Sequence, residues 1–184
     1  LVEDVASRHG RLDMMVNNAM SVHYAPLTEL TMEHWRKDFA VNAEAVFTGT
    51  KAAMKIMMKQ GSGSIVNIAS TTAIRSAPYM ASYSASKAAL VQFSACAAIE
   101  GAPANVRVNV IVPGQVMTPA TAFWATKAPE TAARTEAAIP MLRGGQPDEL
   151  AAPIVFLLSD AASYITGVAL PVDGGKSVQL YLPS

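Results

Sequence analysis

The chain has 184 residues, of which 51% are hydrophobic, and its 14 Lys and Arg residues balance its 14 Asp and Glu residues. This length fits one domain with a sizeable core. The lack of net charge argues against nucleic acid and membrane surfaces as partners. No apolar run approaches the roughly 20 residues that span a bilayer.

Apolar periodicity and turn residues predict helices and strands in alternation. A first helix ends at Gly10, and the short apolar run 12–16 indicates a buried strand. Thr31 is the predicted N-cap of one long helix that continues to Gly61. The β-branched run 64–69 then predicts a second strand.

The second half of the chain continues the alternation. Its predicted elements are a polar loop over 70–81, an Ala-rich helix over about 82–100, a strand over 106–112, an irregular stretch to Arg143, a helix over 147–158 in which Pro153 is expected to restart the helix, and a strand over 168–172. Strands separated by helices indicate an α/β fold, a doubly wound, Rossmann-type parallel sheet with helices on both faces.

A resident metal is not expected. Cys96 is the one cysteine of the chain, so it forms no internal disulfide and no Cys/His zinc set, and its presence as a free thiol suits the cytoplasm. His9, His23 and His34 lack the spacing of a metal motif and are expected at surface or turn positions.

The strongest chemical signal is the pair Tyr83 and Lys87 at the start of the second long helix, because residues four apart share a helix face. An ammonium beside a phenol lowers the pKa of the phenol, which gives a usable acid/base group. Ser70 precedes Tyr83 by 13 residues and follows a strand, so it is expected in the same crevice. Taken alone, the pair also fits an exposed helix face, and Ser70 also fits a capping serine.

These motifs resemble the short-chain dehydrogenase/reductase family in their order and spacing. The matching segments are Asn17-Asn18-Ala19 for the family's N-N-A-G, Ser70 with Tyr83-x-x-x-Lys87 for its catalytic set, Pro113-Gly114 for its P-G pair, and Val172-Asp173-Gly174-Gly175 for its V-D-G-G. The resemblance implies an oxidoreductase that uses NAD or NADP to interconvert an alcohol and a ketone or aldehyde.

The resemblance also implies roles for single residues. Tyr83 would exchange a proton with the substrate oxygen, Lys87 would hold the cofactor ribose and lower the Tyr83 pKa, and Ser70 would polarise the carbonyl. Asn42 would hold a water that links Lys87 to solvent; taken alone, it fits a mid-helix amide bonded to nearby backbone. The implied cofactor contacts are Asn18, Ala19, Tyr83, Lys87, Pro113, Gly114, the Val116 backbone and the Thr118 hydroxyl.

Two departures from the family pattern affect cofactor binding. Met20 replaces the usual glycine after Asn18-Ala19, which suggests a different backbone angle there. No predicted strand is followed by a G-x-G-x-x-G loop, so NAD and NADP cannot be distinguished. We therefore expect residues 1–184 to be one domain that corresponds to the C-terminal two-thirds of a family member.

Substrate and assembly follow from the resemblance and from composition. The stretch 120–141 would cover the substrate and is mostly apolar, which favours a small uncharged alcohol or carbonyl compound; Trp124 within it also fits core packing. Family members pair their two long helices, which implies a homodimer or homotetramer. A non-catalytic nucleotide-binding sensor or scaffold, or an inactive fragment, is the alternative to an enzyme.

Overall fold

The computed structural model describes residues 1–180, and its centre is a parallel sheet with strand order β1-β2-β3-β4. The strands are β1 (Met14–Asn17), β2 (Gly63–Ile68), β3 (Val106–Pro113) and β4 (Ala169–Val172). Each neighbouring pair is parallel, with Asn17 opposite Asn67 and Ile111 opposite Leu170. Parallel neighbours require crossover connections, and helices supply them. The predicted α/β parallel sheet is confirmed.

Seven α-helices surround the sheet in the described part of the chain. They are α1 (Val2–His9), α2 (Met32–Phe39), α3 (Ala45–Gln60), α4 (Ala81–Gly101), α5 (Pro119–Lys127), α6 (Pro129–Ala137) and α7 (Pro147–Leu158). Gly10 and Gly61 end α1 and α3 in the left-handed conformation, with φ of 73° and 71°. The Thr31 side chain accepts a hydrogen bond from the His34 amide at 3.1 Å and so caps α2, as its position predicted.

Helices pack on both faces of the sheet. Because side chains alternate along each strand, every strand contributes residues to both faces. On β3, Val106 and Val108 pack with residues of α3 and α4 on one face. Ile111 points to the opposite face and packs with Leu157 of α7. These side chains form the core and fix α4 against the sheet, with its N-terminus near the carboxyl end of β2.

Three predictions about elements are wrong. The single helix expected from Thr31 to Gly61 contains a π-helical turn, Ala40–Glu44, which separates α2 from α3. The stretch after β3, expected to be irregular, forms α5 and α6, both of which have proline in the first turn, where no backbone donor is lost. Helix α7 continues through Pro153, because its neighbours Ile154 and Leu157 pack against the sheet.

Strand β1 lies at an edge of the described sheet, and it is less buried than its apolar sequence predicted. It pairs with β2 on one side. Met14 and Val16 are 53% and 41% exposed, whereas Leu12, just before the strand, is buried. The apolar run that suits a buried strand is thus an exposed sheet edge within residues 1–180.

Candidate active site

Tyr83 and Lys87 lie in the first turns of α4 and are both buried, at 7% and 1% exposure. The Lys87 Nζ donates a hydrogen bond to the Ile68 carbonyl oxygen at 2.7 Å and lies 5.9 Å from the centroid of the Tyr83 ring. A buried lysine beside a buried tyrosine is rare unless the pair has a function. The alternative of an exposed pair on a solvated helix face is wrong.

Burial dominates the ionisation of both groups. It raises the pKa of Tyr83 above its ordinary value; the Ser70 side chain acts in the opposite direction, and the charges of Tyr24 and Asp38 add to the increase. Burial lowers the pKa of Lys87 to about 8. Burial is thus the largest influence on the Tyr83 pKa, and the Lys87 ammonium is directed at the Ile68 carbonyl. The lowering of the Tyr83 pKa by Lys87 stays a prediction.

Ser70 follows β2 and has two partners in the next turn. Its Oγ accepts hydrogen bonds from the Thr72 amide at 3.2 Å and from the Thr72 hydroxyl at 3.1 Å, and so caps the short 3₁₀ helix Thr71–Ala73. Capping uses the acceptor capacity of the hydroxyl and leaves its proton free to be donated. The capping interpretation is thus correct, and it is compatible with a hydroxyl that donates toward the Tyr83 side of the crevice.

Asn42 lies within the π-helical turn and is completely buried. Its Oδ1 accepts from the Ser21 amide at 2.9 Å, and its Nδ2 donates to the Ser21 carbonyl oxygen at 2.7 Å and to the Ser86 Oγ at 3.0 Å. The Ser86 hydroxyl in turn donates to the Tyr83 carbonyl oxygen at 2.7 Å. Asn42 therefore connects α4 to a loop that is distant in sequence, and the interpretation as an amide bonded to nearby backbone is wrong.

The residues after β1 lie at the carboxyl edge of the sheet. Asn18, Ala19 and Met20 are all exposed. The Met20 side chain points to solvent, and its backbone does not have a positive φ. The different backbone angle expected for methionine at this position is therefore not required.

The Pro113-Gly114 pair meets the Val172-Asp173 segment at the ends of β3 and β4. The Gly114 amide donates to the Val172 carbonyl oxygen at 3.0 Å. Asp173 accepts hydrogen bonds from the amides of Gly175 at 3.0 Å and Ser177 at 2.8 Å, which holds the chain in a tight turn. The two motifs thus form one structural unit beside the crevice.

The segment from Val116 to Thr118 leads into α5. Val116 forms an isolated bridge with Gly145. The Thr118 Oγ1 accepts from the Thr121 amide at 3.3 Å, so this hydroxyl is the N-cap of α5. In α5, Phe123 and Trp124 are exposed, and core packing of Trp124 is therefore excluded.

Sequence reasoning missed a group of polar residues beside Tyr83. Asp38 of α2 is buried, and its carboxylate accepts hydrogen bonds from the side chains of Ser21, His23 and Ser82. The one available signal was spacing: Asp38 precedes Asn42 by one helical turn. Within residues 1–180, no cluster of three or more His, Cys, Asp or Glu side chains could hold a metal ion. No helix in the same range is long and apolar enough to cross a membrane.

Comparison with known proteins identifies the family. The sequence profile of the family described as enoyl-(acyl carrier protein) reductase matches residues 1–177. The chain is 41% identical over 175 residues to 3-oxoacyl-(acyl-carrier-protein) reductase FabG of Thermotoga maritima, covering 95% of this chain and 70% of that protein. The chain belongs to the short-chain dehydrogenase/reductase family. It is also 37% identical over 174 residues to cyclopentanol dehydrogenase of Comamonas testosteroni, covering 95% and 69% of the two chains.

Solved structures of short-chain dehydrogenases/reductases share the fold. NAD+-bound xylitol dehydrogenase superposes with a TM-score of 0.89 at 31% identity, covering 95% of this chain and 72% of that one. ElxO with NADP bound superposes with a TM-score of 0.93 at 30% identity, covering 97% and 72%. The predicted class, oxidoreductases that act on CH–OH groups with NAD or NADP, is confirmed at the level of the family. The chain spans about 70% of the length of these relatives.

Proposed function

We propose that the full-length protein is an NAD(P)-dependent oxidoreductase that interconverts an alcohol and a ketone or aldehyde. One observation supports this most strongly: Tyr83 and Lys87 are buried together on adjacent turns of α4. The Ser70 side chain, just after β2, is close enough to Tyr83 to act against the rise of its pKa. Ligands of doubly wound proteins bind at this carboxyl edge of the sheet. A binding module would not require an acid/base pair at this position.

The side chains present fit the nicotinamide end of the cofactor. Within residues 1–180, the Lys87 ammonium donates one hydrogen bond, to the Ile68 carbonyl, and its two other N–H groups suit ribose hydroxyls. Asn18 and Ala19 on one side, and the backbone of 113–116 with Thr118 on the other, would border the same cleft. When bound, the nicotinamide exchanges a hydride with the substrate carbon.

The protein residues would supply placement and the proton. In carbonyl reduction, Tyr83 gives its phenolic proton to the substrate oxygen, and in alcohol oxidation it takes the proton back. Burial keeps Tyr83 protonated at neutral pH, which suits the donor role. The Ser70 hydroxyl donates to the same oxygen and orients it, while Lys87, with a pKa of about 8, exchanges protons near neutral pH. Asn42 would hold a water that connects Lys87 to solvent.

A small uncharged alcohol or carbonyl compound is the proposed substrate. The chain from Gln115 to Thr126, which includes the exposed Phe123 and Trp124, contains no charged residue. A surface of this kind offers mainly apolar contact, and the cation beside it, Lys127, lies over the Phe123 ring at 5.3 Å. The name of the relative cyclopentanol dehydrogenase supports a substrate of this size and polarity.

We also propose that residues 1–184 are a single domain, which corresponds to the C-terminal two-thirds of the full-length chain. The full-length protein would be a cytoplasmic homodimer or homotetramer. The order of the family motifs along the chain supports the correspondence. Exposed apolar side chains on the two long helices, Phe47 of α3 and Ile99 of α4, support assembly through these helices.

The proposal is tested with the full-length protein. NADH and NADPH consumption is followed with a panel of small ketones and aldehydes, and cofactor reduction is followed with the corresponding alcohols. Calorimetry measures cofactor binding in parallel. We expect turnover with at least one member of the panel. Cofactor binding without any turnover would replace the enzyme by a nucleotide-binding sensor or scaffold.

A further inference from the structure

A buried carboxylate lies next to the Tyr83–Lys87 pair and is not part of the proposed reaction. Asp38 is 0% exposed. Its Oδ1 accepts from the Ser21 hydroxyl at 2.9 Å and from the His23 Nδ1 at 2.7 Å, and its Oδ2 accepts from the Ser82 hydroxyl at 2.5 Å. A buried charge is costly unless it is fully hydrogen-bonded, and this one is bonded on both oxygens.

Asp38 belongs to a regular set of bonds between the helix segment 38–42 and α4. The bonded pairs are Asp38 with Ser82 and Asn42 with Ser86. The members of each pair lie one turn from those of the other on their own helix. Tyr83 and Lys87 directly follow the two serines in sequence, so each turn of α4 that carries a proposed catalytic residue is bonded to the facing helix.

The same two residues hold the loop that follows β1. Asn42 bonds both the amide and the carbonyl of Ser21, and Asp38 bonds the Ser21 hydroxyl. Asp38 also fixes His23, whose ring stacks on that of His34 with centroids 4.3 Å apart and planes 12° apart. The loop is therefore held by Asp38 of α2 and, one turn further along, by Asn42 of the π-helical turn.

We propose that Asp38 is a positioning residue of the Tyr83–Lys87 site, acting through Ser82 on the first turn of α4 and through Ser21 and His23 on the loop after β1. This inference rests on the proposed function for its effect on turnover. Its structural part, that Asp38 controls the surroundings of the Tyr83 phenol, can be tested without turnover.

Electrostatics agrees with this geometry. Burial acts to raise the pKa of Asp38, but hydrogen bonds from Ser82, His23 and Ser21 together hold it below its ordinary value, so the group is an anion. Its negative charge in turn raises the pKa of Tyr83. Within the described residues, these contacts bring two titratable groups to Asp38: His23 of the loop, on which His34 of α2 stacks, and Tyr83 of α4. The charge of Tyr24 acts on Tyr83 in the same direction as that of Asp38.

The test compares Asp38→Asn with Ser82→Ala in the full-length protein. Asp38→Asn removes the charge and keeps the size of the side chain, whereas Ser82→Ala removes the bond to α4 and leaves the carboxylate with Ser21 and His23. Ser94→Ala is the matched control, because Ser94 is another buried serine of α4, bonded to Asn67 at 2.9 Å and three turns further along. Cooperative unfolding is checked for each variant.

Three quantities are measured: kcat and KM, each as a function of pH, and the ionisation midpoint of the Tyr83 phenol. The midpoint is obtained by ultraviolet titration of each protein, from which the titration of the same protein carrying Tyr83→Phe is subtracted. We expect Asp38→Asn to move the midpoint and the pH–rate profile for alcohol oxidation to lower pH. Both Asp38→Asn and Ser82→Ala should lower kcat by about 10- to 100-fold with little change in cofactor affinity, since small displacements of reacting groups cost this much. Ser94→Ala should change neither kcat nor the ionisation midpoint of the Tyr83 phenol.

The inference is overturned if folded Asp38→Asn keeps both the wild-type kcat and the wild-type phenol midpoint. Should Asp38→Asn not fold, Ser82→Ala decides: a wild-type kcat in that variant overturns the positioning role. A wild-type protein that turns over no member of the substrate panel contradicts the proposed function instead, and the phenol titration then decides the role of Asp38 by itself.

Discussion

Gly114 and Asp173 approach each other so closely that a side chain at position 114 has no room. A Cβ atom there would lie 2.8 Å from the Asp173 Cβ and 2.9 Å from the Asp173 Cα. The second of these contacts is with backbone, which cannot rotate away. The glycine of the P-G pair is therefore required by the packing of two strand ends, in addition to any contact with a cofactor.

This contact predicts the effect of Gly114→Ala on stability. We expect the substitution to lower the free energy of unfolding by about 1–3 kcal/mol, the usual cost of overpacking. Gly145→Ala is the control, because a Cβ atom at that nearby glycine would have its nearest neighbours at 3.7 Å. Urea denaturation of both variants measures the difference. Equal stability of the two variants would contradict the packing argument.

The Tyr83→Phe variant tests the proposed proton donor. It removes only the hydroxyl of a buried ring, so the fold and cofactor affinity should be kept, while turnover should fall by about 10²- to 10⁴-fold, the typical contribution of general acid/base catalysis. Steady-state rates and cofactor titration are measured on the same preparation. Tyr164→Phe, at a fully exposed tyrosine, is the control and should keep wild-type turnover. A Tyr83→Phe variant with more than about a tenth of the wild-type rate contradicts the assignment.

The lowered pKa of Lys87 predicts a pH-dependent stability. Its folded value is about 8, against 10.5 without burial. Above pH 8 the folded state releases this proton while the unfolded state keeps it. The free energy of unfolding is therefore expected to increase with pH between pH 8 and 10.5. Relative to Lys87→Met, the free energy of unfolding should rise by at most about 3 kcal/mol over this range.

The difference between wild type and Lys87→Met isolates this contribution. Tyr83 has a raised pKa and therefore lowers the free energy of unfolding above pH 10. Since Tyr83 is present in both proteins, its contribution largely cancels in the difference. Denaturant unfolding at several pH values provides the two curves. A difference that stays constant from pH 8 to 10.5 would show that Lys87 is not desolvated in the folded protein.

Local signals explain which elements the sequence could predict. Gly10, Gly61 and Thr31 act within their own turns, so the helix ends they define are found in the structure. The π-helical turn at Asn42 depends on bonds to Ser21, which is distant in sequence, and no local pattern indicates it. Helices α5 and α6 are rich in Ala and Thr on all sides, so an apolar period that would predict them is weak.

The candidate site shows the same division. The spacing of Tyr83 and Lys87 is a local property, and it correctly predicted that both lie on the same face of α4, one turn apart. Their burial and the resulting pKa directions depend on the elements packed around α4, and the sequence could not supply them. Asp38 was missed because it follows Arg36 and Lys37 in a charged segment that is typical of a solvated helix face.

Strand β1 predicts the behaviour of the 184-residue chain when it is prepared by itself. Its edge pairs with no further strand among residues 1–180, and it carries the exposed apolar side chains of Met14 and Val16. An unpaired apolar edge recruits other strands, whereas a lysine on the edge prevents such pairing. We therefore expect the chain to form oligomers whose size increases with concentration, and Val16→Lys to reduce that association.

Light scattering after size-exclusion chromatography compares the 184-residue chain with Val16→Lys over a range of concentrations. Leu27→Lys adds the same charge at an exposed apolar residue outside the sheet and is the control. If net charge alone governed association, both lysine variants would reduce it equally. Reduction by Val16→Lys alone assigns the association to the β1 edge, because only that substitution places a charge beside the unpaired backbone groups of the strand. A chain that is already monomeric without substitution would show that this edge does not recruit a second strand.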